Sequence, residues 1–168
     1  MFPKRFRKLQ VRTRPVKAIV LHSTVCRYPF PQLSVDKKAF QTNFITYGAI
    51  LDGEDESIFH VVIDRIGTDY YPILLRPLQF PYTGFDFGQP LYDTAIQVCL
   101  IGDYNLTKPD QRLYEVVAYR VLSPLLFELE IPFTNIFLHS EIQQDSKCPG
   151  TFFDKNYLMN VLKKYRTR

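Results

Sequence analysis

Metal and nucleophile chemistry needs imidazole, thiol or carboxylate groups at fixed points, and this chain is sparing with the first two. It has three histidines and three cysteines in 168 residues. His22 closes the short apolar run AIVLH, and His139 closes IFLH. Cys148 follows His139 by nine residues across the polar loop SEIQQDSK, and Pro149-Gly150 comes directly behind it. Two imidazoles and a thiolate are three ligands of the kind a catalytic zinc uses, with a fourth position left for water. On spacing alone this competes with a plainer reading, because a histidine after a strand is often a hydrogen-bonded structural residue. His60 is an alternative third imidazole. Cys26 lies four residues after His22 in a proline-containing loop, and its oxidation with Cys148 would need an oxidising compartment that nothing here indicates. An odd, sparse set of cysteines does not make a disulfide framework.

The elements that must position these residues can be read from periodicity and breakers. Val16–Leu21 reads as a buried strand that delivers His22, and residues 59–64 (FHVVID) as a second strand. Arg65–Thr68 is its turn, and Tyr70–Leu75 a return strand. Ala95–Ile101 is a central strand ended by Gly102, and Asn135–Leu138 a strand delivering His139. Ser34 or Asp36 could cap a short helix running to about Tyr47. A clear helix follows Thr107 and Asp110, which resemble a capping box, and Leu113, Val116, Val117, Val121, Leu125 and Leu129 form its apolar stripe. Pro124 should kink or interrupt that helix. Asp154 caps a last helix with Tyr157, Leu158, Val161, Leu162 and Tyr165 on its buried side. Strands alternating with helices give an α/β class: one domain, with a central mixed β-sheet flanked by helices and the zinc site at one sheet edge. Strand ends on one edge are where such folds assemble sites.

Composition bounds the rest. The chain is 46% hydrophobic and 23% charged, ordinary for a globular domain, and a length of 168 residues suits one core. No segment approaches the roughly 20 apolar residues of a membrane-spanning helix. Residues 1–17 hold seven of the 21 Lys/Arg and no acid, which leaves 14 basic against 17 acidic groups in the body. Residues 1–15 thus read as a basic arm before a domain over 16–168. The arm is either a solvated tail or an attraction to a polyanion: nucleic acid, an anionic membrane or a bacterial wall polymer. No apolar stretch follows it, which argues against a secretory signal. Residues 76–93, rich in Pro, Gly and aromatics, form a loop long enough to suggest function.

The motifs "IVLHST", "FHVVIDRIGT", "AIQVCLIGDYN", "LTKPDQ" and "LHSEIQQDSKCPGTFFD", in this order, resemble the type 2 N-acetylmuramoyl-L-alanine amidases. That superfamily includes the zinc amidase lysozymes of T-odd phages and the peptidoglycan recognition proteins. The resemblance covers about residues 16–165. It implies that His22, His139 and Cys148 hold one Zn2+, and that the bond cut is the amide between N-acetylmuramic acid and L-alanine of the stem peptide. It places Glu141 in a structural position of the ligand loop, and puts Cys99 where cytoplasmic members carry a catalytic Glu. Cys99 itself reads as strand core.

The chain also departs from the pattern. A catalytic Lys or Thr normally stands two residues before the last ligand, where this chain has Ser146; Lys147 is one residue later. Lys147 and Ser146 are therefore both candidates for the catalytic donor. Phe59 replaces a tyrosine whose hydroxyl would lie near the metal-bound water. Phe59, His60 and Tyr82 are the candidate substrate contacts, and Tyr47 or Tyr82 could replace the missing hydroxyl. The expected partner is peptidoglycan, met by a monomer made in the cytoplasm and released to the wall as phage lysins are. The competing reading is a peptidoglycan-binding module of the same fold without full activity. A third is a nucleic-acid partner held by the arm.

Overall fold

The computed structural model describes residues 12–24, 59–66, 68–74, 76–79, 81, 91, 93–143 and 145–166. The helix expected over 34–47, Cys26, Tyr47, Tyr82, most of the 76–93 loop and the first eleven arm residues lie outside them.

Five strands form one mixed sheet in the order β3-β2-β4-β1-β5. They are β1 (Ala18–Ser23), β2 (Val61–Ile66), β3 (Asp69–Leu74), β4 (Ala95–Leu100) and β5 (Ile136–Leu138). β1 runs parallel to both β4 and β5, and β2 parallel to β4; the β2–β3 hairpin is antiparallel. β2 starts at Val61, so Phe59 and His60 lead into it rather than belonging to it.

Side chains alternate across a strand, and here the two faces differ in chemistry. One face carries Ile19, Leu21, Val61, Ile63, Ile96, Val98, Leu100 and Ile136 into the main core. Helices cover it: α1 (Gln111–Val116), a π-helical segment (Val117–Leu122) and α2 (Ser123–Glu128) in one run, then α4 (Lys155–Arg166). Leu113, Val117, Val121, Leu122, Leu158 and Leu162 complete this core. Fully burying a Leu or Ile side chain stabilises by about 1.5–3 kcal/mol, so this face carries most of the fold's stability. The other face holds a small apolar patch of Ala18, Val20 and Ala95, backed by Leu91, Phe137 and Ile142. By alternation it also holds His22, Gln97, Cys99 and Asp64, all buried.

Two helix expectations change in detail. Asp110 alone caps α1, its Oδ1 accepting from Leu113 N at 2.8 Å, while the Thr107 hydroxyl donates to the Asp103 carbonyl. Asp110 Oδ2 also accepts from the Tyr70 hydroxyl at 2.7 Å, tying β3 to the helix. Pro124 does not interrupt the run. The preceding turn widens instead: Ser123 N–H reaches back to the Ala118 carbonyl, five residues away. A π turn is a recognised way of absorbing a local insult to the α-helical ladder. α4 starts as expected, with Asp154 Oδ1 accepting from Tyr157 N.

Arg12, which the charge pattern assigns to the arm, is bonded into the sheet. Its guanidinium donates to the carbonyls of Leu78 (2.7 Å), Ala95 (2.9 Å) and Asp93, and lies 2.8 Å from His60 Nε2. Burial is the main cause that lowers its pKa to about 10; Asp93 opposes the shift and Arg76 adds to it. It remains a cation at neutral pH.

Candidate metal centre

β1 places His22 one residue from its C-terminal end, on the face opposite the main core. β5, parallel to β1, ends at Leu138, and His139 is the first residue of the short helix α3 (His139–Ile142). The loop after α3 turns back at once. Ser146 N donates to the Gln143 carbonyl at 3.0 Å, and Ser140 N to the Cys148 carbonyl at 2.9 Å. These bonds bring Cys148 under the two histidines.

The ligand atoms of His22, His139 and Cys148 all lie within 4.8 Å of one another, and all three residues are buried. Cys148 Sγ is 3.9 Å from His22 Nδ1 and accepts from Ser23 N at 3.3 Å. The two imidazole rings are tilted by 49° with centroids 4.7 Å apart. Among the described residues this is the only such group of three or more. The donor set fits a metal: two neutral imidazoles and a sulfur suit a borderline or soft ion rather than Mg2+ or Ca2+.

Two glutamines that the sequence reading did not single out complete the arrangement. Gln97 Oε1 lies 2.7 Å from His22 Nε2, and Gln143 Oε1 lies 2.8 Å from His139 Nε2. Gln97 could have been noticed as the lone polar side chain in the buried strand AIQVCL. Gln143 stands four residues after His139, the spacing that puts two side chains on one helical face.

The loop behind the thiol is tightly built. The Cys148–Pro149 peptide is cis. Gly150 has φ +138°, and a Cβ there would fall within 2.6 Å of the Tyr104 carbonyl oxygen. Tyr104 itself is anchored by its hydroxyl on the Ile101 carbonyl (3.1 Å), and its carbonyl accepts from Phe152 N (2.9 Å). Glu141 has the structural role read from the sequence. Its carboxylate accepts from Leu138 N at 2.7 Å and meets Lys155 Nζ at 2.6 Å.

The remaining candidates fall as follows. The Ser146 hydroxyl accepts from Cys148 N at 3.1 Å, and Lys147 is exposed beside it. Phe59 is buried with its ring 5.3 Å from that of His22. His60 is not part of the cluster. It is fully buried, with Nδ1 taking the Gln97 N–H at 3.0 Å and Nε2 facing Arg12. An imidazole held this way supports β4 and does not reach a bound ligand. Cys99 is the register partner of His22 and wholly buried, outside the three-ligand group. Asp64 is buried on the same sheet face, and its carboxyl is pushed up to about 6, chiefly by desolvation.

No protein-family profile and no curated protein sequence matches the chain. Solved structures do. N-acetylmuramoyl-L-alanine amidase LysC from Clostridium intestinale superposes with a TM-score of 0.64 at 16% identity, over 92% of this chain and 93% of that one. A selenomethionine derivative of AmpD gives 0.67 at 17%, over 93% and 90%. A tyrosine-to-phenylalanine mutant of Drosophila PGRP-LB, in complex with tracheal cytotoxin, gives 0.63 at 16%, over 88% and 82%. The chain has the fold of the N-acetylmuramoyl-L-alanine amidases and peptidoglycan recognition proteins. On that amidase fold the candidate metal centre sits at the C-terminal ends of two parallel strands, β1 and β5.

Proposed function

We propose that the protein is a zinc-dependent peptidoglycan amidase that cleaves the bond between N-acetylmuramic acid and L-alanine of the stem peptide. The observation that carries this is the buried His22/His139/Cys148 group on an amidase fold. Tetrahedral zinc with bonds of about 2.0–2.3 Å sets its ligand atoms roughly 3.3–3.6 Å apart. The 3.9 Å between Cys148 Sγ and His22 Nδ1 is close to that spacing, and the 4.8 Å that bounds all three pairs requires the site to contract on the ion. When bound, zinc supplies a Lewis acid that activates water near neutral pH and polarises the scissile carbonyl.

The chain's own residues do the rest. His22, His139 and Cys148 would hold the ion in a site closed on the sheet side. Lys147, exposed next to Cys148, offers a cationic donor to the oxygen that gains charge as the amide is attacked. Ser146 is the weaker candidate, because its hydroxyl is neutral and its position is set by accepting from Cys148 N, which orders the ligand loop. Phe59, beside His22, and Tyr82, on the family resemblance alone, are the proposed substrate contacts; His60, buried against Gln97 N–H, acts through the strand. The basic arm adds attraction to an anionic wall polymer, which salt would screen. Among the described residues no helix is long and apolar enough to cross a membrane.

One observation favours a second reading, a recognition module that binds muropeptides without cutting them. Phe59 lies against His22 and has no hydroxyl to offer. Incubating purified peptidoglycan with the protein, with and without a chelator, separates the two. Mass spectrometry should find stem peptides with a free L-alanine amine, lost on chelation and restored by zinc. Co-sedimentation with the wall and no release would leave the recognition module. Within the amidase reading, Lys147→Ala should keep zinc and lose about a hundredfold in rate. Ser146→Ala should chiefly weaken zinc binding; an unchanged rate in the lysine variant would move the donor role.

A further inference from the structure

His22 and His139 come from different elements, yet each meets a glutamine side-chain oxygen through the same ring nitrogen. Gln97 reaches His22 Nε2 from the neighbouring strand at 2.7 Å, and Gln143 reaches His139 Nε2 from one helical turn away at 2.8 Å. A neutral imidazole has one N–H and one lone pair. An amide oxygen can only accept, so each contact draws the proton to Nε2 and leaves the lone pair on Nδ1. For His22, Nδ1 is the nitrogen 3.9 Å from Cys148 Sγ. Only a lone pair there can share a metal with the thiolate.

Gln97 is a costly residue to place where it is. It is fully buried in the middle of β4, and among the described residues its amide nitrogen has no hydrogen-bond partner. A buried donor left unpaired is destabilising, so an apolar side chain of similar size would serve the strand alone better. What the glutamine adds is its oxygen on His22. We infer that Gln97 and Gln143 are positioning residues, which fix His22 and His139 with the proton on Nε2 and so present Nδ1 of each to the metal. The inference rests on the zinc reading for the identity of the ion, but the ring protonation it specifies exists in the metal-free protein.

Outer-shell partners of metal-bound histidines typically contribute 10–100-fold in metal affinity. Gln97 is buried and Gln143 is exposed, so the first should matter more. The test begins with metal-free protein carrying 15N-labelled histidine, in which two-bond 1H–15N correlations report the tautomer of each of the three rings. Both ligand histidines should be in the Nε2–H form, and Gln97→Leu should erase that preference at His22 alone. Zinc affinity, read by competition with a chromophoric chelator, should fall about 10–100-fold in Gln97→Leu and less in Gln143→Leu. Gln97→Glu, which keeps an acceptor, should recover most of the loss.

Gln97→Leu removes the orphaned amide but also leaves the buried His22 ring N–H without its acceptor, so its melting temperature does not separate positioning from structure. Return of the Nε2–H tautomer and of zinc affinity in Gln97→Glu does, and a Gln97→Glu protein that recovers neither would mark the glutamine as merely structural. A proton on Nδ1 of His22 in the wild type would overturn the inference, as would a Gln97→Leu affinity within twofold of wild type. If the wild type binds no zinc, the metal reading fails, and the tautomers still decide the positioning claim. They need no variant to fold.

Discussion

Gly150 is where the ligand loop is most exposed to a small perturbation. Its φ of +138° lies in a region that side-chain-bearing residues avoid, and the alanine Cβ would press to 2.6 Å from the Tyr104 carbonyl oxygen and 2.7 Å from the Tyr104 Cβ. Backbone strain of this kind costs about 1–3 kcal/mol, and overpacking a closed site a further ~1–3 kcal/mol. The obstacle is main chain, held by Phe152 N on the Tyr104 carbonyl, and cannot swing aside. Gly150→Ala should therefore destabilise the protein by roughly 3–5 kcal/mol, which lowers Tm by about 6–20 °C for a domain of this size. Because Gly150 is two residues from Cys148, zinc affinity should fall with it. Gly102→Ala is the comparison. It shares the strained backbone, with φ +155°, but its Cβ would meet the ring tip of the same tyrosine, Cζ at 2.8 Å, rather than main chain, and moving that tip costs the hydroxyl's bond to the Ile101 carbonyl, so a smaller loss is expected. Thermal melts of both variants, with and without added zinc, read all of this. A Gly150→Ala protein that melts within about 2 °C of wild type and binds zinc normally would refute the claim that the close approach to Tyr104 sets the loop.

Asp64→Asn should change how stability depends on pH. Burial raises the folded-state pKa from 3.8 to about 6, so Asp64 costs nothing below pH 4, and stability is lost as pH rises through about 6. The shift corresponds to at most about 3 kcal/mol, and roughly half of that once solvent screening is allowed for. The variant should be more stable than wild type at pH 7–8 and level with it at pH 4; a pH-independent difference would show that the carboxyl does not titrate there. Phe59→Tyr places a hydroxyl beside His22. If the proposed amidase lacks only that donor, turnover of a muropeptide should rise at least about tenfold, and no change would show that another group already covers the role.

Much of the site was legible in the chain itself. His22 and His139 each follow a short apolar run, Cys148 precedes Pro-Gly, and such punctuation is local, so spacing and resemblance together select the three. Asp154 as a helix cap and the apolar stripe of α4 were equally readable, because capping and helical periodicity are decided within a few residues. Other features depended on contacts that no local pattern encodes. The departure at Pro124 is one, since whether a proline breaks a helix depends on how the turn before it can widen. Arg12 carries the charge of a tail yet donates to carbonyls about 80 residues away, and His60 looks like a ligand yet is spent on Gln97 N–H and Arg12. Sequence determined which groups can bind a metal. Tertiary structure decided which nitrogen each histidine presents, because that follows from glutamine oxygens placed by strand register and helical return, and from a thiol brought to His22 across 126 residues.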